Sequence, residues 1–218
     1  MSQPYKIVSH PVVRHKVTKL RDARTSPADF RRLVKDLTTI IGLEASQNLE
    51  TVEVSQLQSP VAPFTGHELC HSIGLSPILR AGIGMTERKS HSMLNLFPEA
   101  SVFYLGLYRE KVSLQPVEYY QKLPQHPTVD TLFILDPLVA TGGTAIAAVT
   151  MLLDWGLKIE NIKLLVLLGS RPGLDKVARE CPGLEIVVGA VDETLSEQGL
   201  VLPGLGDAGD RQFPDGTN

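Results

Sequence analysis

The sequence predicts an α/β fold built on a doubly wound, mainly parallel sheet, with one projecting β-hairpin. Two observations carry this. Short strand-like runs alternate with helical stretches through the second half of the chain, which is the pattern of βαβ units. The runs TLFILD from Thr131, IKLLVLLG from Ile162 and LEIVVGAV from Leu184 are apolar nearly throughout, as strands covered on both faces must be. The chain of 218 residues is read as one domain over 1–218. A chain of that size buries roughly 70% of its unfolded surface and needs no disulfide or metal staple.

The first firm element is a helix over 27–49. Ser26 caps it, Pro27 suits its first turn, and Asp29 sits near the positive end of its dipole. Phe30, Leu33, Val34, Leu37, Ile40, Ile41, Ala45 and Leu49 recur at helical spacing. That stripe faces the core or a dimer contact, with core favoured. Strands follow at TVEVSQL from Thr51, SIGLSPIL from Ser72 and SVFYLGLY from Ser101. The segment 101–122 reads as two strands around a polar turn, and hence as the projecting hairpin. Helices are expected over roughly 143–155 and 173–180. Trp155 is read as a packing residue.

Composition excludes several classes. Lys and Arg number 21 against 24 Asp and Glu, for a net charge of −3, so no nucleic acid is held by bulk charge. No apolar run reaches the roughly 18 residues that cross a membrane, and the first residues lack the apolar core of a signal peptide. Cys70 and Cys181 are far apart and form no CxxC pair, which suits a reducing cytoplasm. The histidines show no metal-ligand spacing, and no chemistry is assigned to them.

The stretch ILDPLVATGGTAIAAV, residues 134–149, carries the chemistry. Asp136 ends an apolar strand, at the sheet edge where open α/β folds bind ligands. Ala140, Thr141, Gly142, Gly143 and Thr144 lead into a helix. Glycines allow close backbone approach, and free N–H groups at a helix start hold anions. The stretch is neither a Walker loop nor a GxGxxG fingerprint. The bland alternative is a tight strand–helix turn with Thr144 as N-cap. The acid, the hydroxyls and the glycines together favour a phosphate cradle beside a sugar.

This segment resembles the ribose-5-phosphate loop of type I phosphoribosyltransferases, in the variant of the uracil phosphoribosyltransferases, where Pro137 replaces the second acid. PILRAGIGM at 77–85 resembles that family's diphosphate loop, and GLYRE at 106–110 its hairpin with a ligand-binding arginine. VLPGLGDAGDR at 201–211 resembles its C-terminal base-binding loop. The resemblance runs in order over nearly the whole chain. It implies transfer of the 5-phosphoribosyl group from 5-phosphoribosyl diphosphate to uracil, giving UMP and diphosphate in pyrimidine salvage. It implies Asp136 and Asp207 as catalytic, and Arg80, Arg109, Asp136, Pro137, Leu138, Val139, Ala140, Thr141, Gly142, Gly143, Thr144 and Asp207 as binding the phosphoribosyl donor. Val201, Gly206, Asp207 and Ala208 are the implied uracil contacts. Mg²⁺ is expected to arrive with the substrate, without a dedicated protein cage. A homo-oligomer, dimer or larger, and GTP as an effector are further implications, as is a cis peptide bond at Arg80–Ala81. Asp210 and Arg211 are expected to pair with each other. The chain departs from the family pattern in the polar stretch from Thr86 to Met93, in Leu200 where Tyr is usual beside the base, and in the longer ending RQFPDGTN. A sensor of phosphoribosyl diphosphate or UMP on the same fold, without catalysis, is the alternative.

Overall fold

The computed structural model describes residues 3–87, 92–109 and 116–216. A short strand β1 (Lys6–Ile7) leads into helix α1 (Pro11–Arg21), which the sequence reading passed over. Its signals are local: the His10 ring accepts from the Val12 N–H at 3.1 Å, Pro11 opens the helix, and Val13, Val17 and Leu20 are buried. Helix α2 (Pro27–Ala45) begins as expected, with the Ser26 hydroxyl accepting from the Asp29 N–H at 3.1 Å. It ends at Ala45 and not at Leu49, because the Ser46 N–H turns back to the Gly42 and Leu43 carbonyls. Its apolar stripe lies in the core.

Strands β2 (Thr51–Gln58) and β3 (Pro63–Leu69) form a separate antiparallel hairpin. The expected strand at Thr51 is therefore real, but it does not belong to the main sheet. It is largely exposed. Next come β4 (Ile73–Leu79), a 3₁₀ turn over Ala81–Met85, α3 (Met93–Leu96), and the strands β5 (Ser101–Val102), β6 (Leu105–Arg109) and β7 (Pro116–Gln121). The hairpin expected over 101–122 is β6 with β7, paired antiparallel from Leu105 onward. Its connecting residues lie outside the described residues, as do four residues of the polar stretch after Met85. The second half is β8 (Thr131–Val139), α4 (Gly143–Trp155), β9 (Ile162–Ser170), α5 (Arg171–Glu180), β10 (Glu185–Asp192), β11 (Thr194–Leu195), β12 (Val201–Leu202) and α6 (Ala208–Gln212).

The main sheet runs β1-β10-β9-β8-β4-β6-β7, with β5 also on β4. Every pairing in it is parallel except β6 with β7. Successive residues of β8 enter opposite cores. Leu132 and Ile134 pack with α4 and α5 residues such as Val149 and Val177. Phe133 and Leu135 pack with α1 and α2 residues such as Leu20 and Leu37. Burial on both faces explains why this strand reads as a continuous apolar run. Trp155 packs edge-on to Phe103 at 5.0 Å and donates to the Pro124 carbonyl at 2.7 Å. At the other end of the sheet, the buried Lys163 ammonium on β9 meets the Ala45 carbonyl, Asn48 and the Glu185 carboxylate.

Candidate active site

The carboxyl ends of β4 and β8 open into a cavity of about 550 Å³, lined among others by Arg80, Asp136, Thr141, Gly142, Thr144 and Asp207. Asp136 lies in the last part of β8, between Leu135 and Leu138, which both pair with β9. It is 8% exposed. Its carboxylate accepts from the Leu138 N–H at 3.3 Å. Burial pushes its pKa up to about 7, and that single hydrogen bond opposes the shift only in part. Pro137 occupies a position with no ladder partner, so its missing N–H costs nothing there.

Gly142 stands at φ +79° as the N-cap of α4, and no side chain caps that helix. Thr144 is therefore not the cap that the bland reading required. Its place is on the cavity wall, inside the first turn. The left-handed backbone suits glycine, and the space does too. A Cβ on Gly142 would come within 2.7 Å of the Gly173 carbonyl and 2.9 Å of Val177. From the other side, a Cβ on Gly173 would meet the Ala140 carbonyl. Ser170 completes this contact: its hydroxyl donates to the Ala140 carbonyl and accepts from the Gly173 N–H at 2.9 Å. The start of α5 thus holds the cradle in shape. With α4 uncapped, its first N–H groups and its dipole face the cavity, an arrangement that binds anions.

Arg80 follows β4 directly. The cis peptide falls at Leu79–Arg80, one bond before the expected Arg80–Ala81. The Arg80 carbonyl instead opens the 3₁₀ turn by accepting from the Ile83 N–H at 3.1 Å. The Arg80 guanidinium donates to the Asp210 carboxylate at 2.6 Å, with both side chains about half exposed. The expected Asp210–Arg211 pair does not form. Arg211 instead donates to the Leu20, Asp22 and Leu205 carbonyls and covers the Phe30 ring at 4.4 Å.

The segment expected to bind the base follows the end of β10. Asp192 is gripped by both guanidinium nitrogens of Arg21, at 2.6 and 2.7 Å, and accepts from the Gly204 N–H at 2.9 Å. Gly206 has φ +79°. Asp207 then caps α6, accepting from the Gly209 and Asp210 N–H groups at 2.8 and 2.9 Å. Gln212 donates to the Ala81 and Ala208 carbonyls at 2.9 and 2.8 Å, which ties this segment to the turn after Arg80.

The cavity therefore brings Arg80, Asp136, Leu138, Val139, Ala140, Thr141, Gly142, Thr144 and Asp207 together. Pro137, Gly143, Val201, Gly206 and Ala208 are not among its lining residues. Val201 and Ala208 are buried and support the segment from beneath. Arg109 ends β6, and its side chain lies outside the described residues. Ala81 and Gly209 line the cavity without having been singled out. Gln212 and the Arg21–Asp192 pair were also missed. Contacts across 171 and 131 positions leave no local spacing in the sequence.

The family model described as uracil phosphoribosyltransferase matches residues 7–215. The uracil phosphoribosyltransferase of Roseiflexus sp. (strain RS-1) is 45% identical over 210 residues, covering 96% of this chain and 98% of its own. That of Thermus thermophilus is 42% identical over 208 residues, covering 95% and 97%. The solved structure of the AQ2163 protein from Aquifex aeolicus superposes with a TM-score of 0.85 at 32% identity, covering 97% of this chain and 99% of that one.

Proposed function

The chain belongs to the uracil phosphoribosyltransferase family, and we propose that the cavity between β4, β8 and α6 is where its reaction takes place. The reaction moves the 5-phosphoribosyl group from 5-phosphoribosyl diphosphate to uracil. The bond from C1′ to the diphosphate oxygen breaks with its electron pair leaving on diphosphate. A uracil nitrogen bonds C1′ from the opposite face and gives up its proton, and UMP results.

The open N-terminus of α4 beside Asp136 is the observation that carries this reading. Gly142, Gly143 and the hydroxyls of Thr141 and Thr144 take the 5′-phosphate. Asp136 accepts from ribose hydroxyls and, once ionised, stabilises positive charge developing at C1′. Arg80 takes the diphosphate as a two-pronged donor, exchanging Asp210 for it, and Arg109 supports the same group. Val201, Gly206, Asp207 and Ala208 place the uracil, with Val201 and Ala208 acting through the segment they pack beneath. Positioning and electrostatics supply most of the rate.

The cavity offers two carboxylates, Asp136 and Asp207, which suits a Mg²⁺ that arrives on substrate phosphates with most of its waters kept. Exposed Asp207 is the carboxylate open to it. When bound, the ion neutralises charge on the leaving diphosphate. We read residues 1–218 as one catalytic unit that acts as a homo-oligomer, dimer or larger. The exposed Val52, Val61, Phe64 and Leu69 of the β2–β3 hairpin support that assembly. Cytoplasmic placement accords with two unpaired cysteines, and among the described residues no helix is long and apolar enough to cross a membrane. GTP as an effector rests on the family resemblance alone.

The experiment is purified protein with labelled uracil, 5-phosphoribosyl diphosphate and Mg²⁺. UMP formation lost on Asp136→Asn places the chemistry at this cavity. Binding of both substrates without turnover would return the non-catalytic sensor.

A further inference from the structure

At the opposite edge of the sheet from the cavity, the two ends of the β2–β3 hairpin meet. Glu50 precedes β2, and Cys70 and His71 follow β3. The backbone there is pinned. The Cys70 N–H donates to the Glu50 carbonyl at 3.2 Å, and the Cys70 thiol contacts the same carbonyl at 3.4 Å. Directly after His71, the N–H and hydroxyl of Ser72 donate to the Asp130 carboxylate at 2.9 and 2.7 Å. The Asp130 and Thr131 N–H groups donate back to the Ser72 carbonyl at 3.0 and 3.1 Å.

This knot gathers a Glu50 carboxylate oxygen, Cys70 Sγ and a His71 ring nitrogen within 4.8 Å of one another. Among the described residues no other group of His, Cys, Asp and Glu side chains lies so close. Ordinary roles do not explain the trio. The Glu50–His71 pair spans 3.5 Å between side chains 79% and 39% exposed, an ion pair that contributes little. Cys70 makes no disulfide. Thiolate, imidazole and carboxylate together are a donor set for Zn²⁺, not for the hard Mg²⁺ of the substrate.

We propose that Glu50, Cys70 and His71 form a binding site for a divalent transition-metal ion of the zinc type, with a further coordination position left to water. Binding displaces the thiol proton to solvent and forms a sulfur–metal bond, with no change of oxidation state. The ion ties together chain ends 20 positions apart and closes the base of the hairpin. Strand β4 separates the site from Arg80 by roughly 20 Å, so this ion takes no part in phosphoribosyl transfer.

The test is a Co²⁺ titration of the metal-stripped full chain, under reducing conditions and without substrate. About one Co²⁺ per chain is expected, with a near-ultraviolet thiolate-to-cobalt band that Zn²⁺ abolishes by displacement. Cys70→Ser removes the band, while Cys181→Ala leaves it. His71→Ala and Glu50→Gln each weaken Co²⁺ binding by at least about tenfold. All these variants keep wild-type UMP formation, which separates failure at this site from failure at the cavity. Absence of the band, its survival in Cys70→Ser, or unchanged affinity in His71→Ala overturns the assignment.

Discussion

Two glycine-led helix starts face the same cavity, and they are finished differently. Gly142 and Gly206 both stand at φ +79°. After Gly142 comes α4, whose first turn receives no side-chain cap, and whose neighbouring acid, Asp136, is buried in the sheet. After Gly206 comes α6, only five residues long, whose N–H groups are already taken by Asp207. The first region keeps its donors free and is held in shape by strands and by α5. The second spends its donors on itself and is held by Arg21, Asp192, Gln212 and the Arg80–Asp210 pair. The difference separates a helix start with open donors, the proposed anion cradle, from a segment whose donors are already bonded.

The strongest way to break this contrast is Gly142→Val. A β-branched residue at positive φ costs about 1–3 kcal/mol, and its side chain runs into Gly173 and Val177. UMP formation should fall on the order of 100-fold or more, since misplacement by an ångström has that effect. Wild-type turnover in a folded variant would remove the cradle from the mechanism.

Asp136→Asn comes next. Losing charged hydrogen bonds to the ribose lowers kcat/KM on the order of 100-fold. The same residue gives a pH signature. Its carboxyl ionises near pH 7 when folded and near 3.8 when unfolded, so the folded chain holds the proton more tightly. Stability therefore falls as pH rises from about 4 to about 7, then levels off. The Asn variant lacks this loss, so its Tm should exceed that of the wild type at pH 8, and the two should converge toward pH 4. In the wild type, kcat/KM for phosphoribosyl diphosphate should drop as pH falls through about 7, because the free enzyme then carries a protonated acid. A flat profile there removes Asp136 as the titrating group.

Asp207→Ala should act mainly on the second region. Loss of a cap costs about 1 kcal/mol, so KM for uracil should rise. Because the carboxylate open to the substrate's Mg²⁺ is lost as well, KM for the phosphoribosyl donor should also rise, but less, and kcat should fall. Equal rises in both would mean that the two regions are not separable. Asp210→Asn is milder still: a half-exposed ion pair contributes less than about 1 kcal/mol. The freed Arg80 should lower the KM for phosphoribosyl diphosphate or leave it unchanged. The smallest effect is expected from Leu200→Tyr. Leu200 is 60% exposed, and the family resemblance implies that a ring there adds packing beside the base. KM for uracil should fall a little, while the preference for uracil over cytosine stays as in the natural protein.

The strand–turn–helix geometry of the proposed cradle was legible because its determinants are contiguous. A buried strand, an acid, glycines and hydroxyls lie within one run, and each implies local geometry. The central strands were legible for a similar reason, since burial on both faces writes itself into an unbroken apolar run. Helix α1 had His10, Pro11 and the Val13–Val17–Leu20 stripe as signals, yet its charged residues masked the period. The strand at Thr51 was found, but its sequence does not say which sheet it joins. What holds the second region could not be read at all. Arg21 with Asp192 and Gln212 with Ala81 are distant partners, and the obvious neighbours Asp210 and Arg211 each bond elsewhere. Arg211 bonds three carbonyls and covers an aromatic face, while Asp210 bonds Arg80.

One contact sets a limit on how the cradle could be moved to another protein. A Cβ on Gly142 would run into the Gly173 carbonyl and Val177, a Cβ on Gly173 would run into the Ala140 carbonyl, and Ser170 bonds both Ala140 and Gly173. The proposed phosphate surface is thus the product of two successive strand–helix junctions and not of one loop. Grafting residues 136–144 alone onto a different βα unit would carry the donors without the wall that aims them. A working transplant must take 136–144 together with 170–173, in register on adjacent strands.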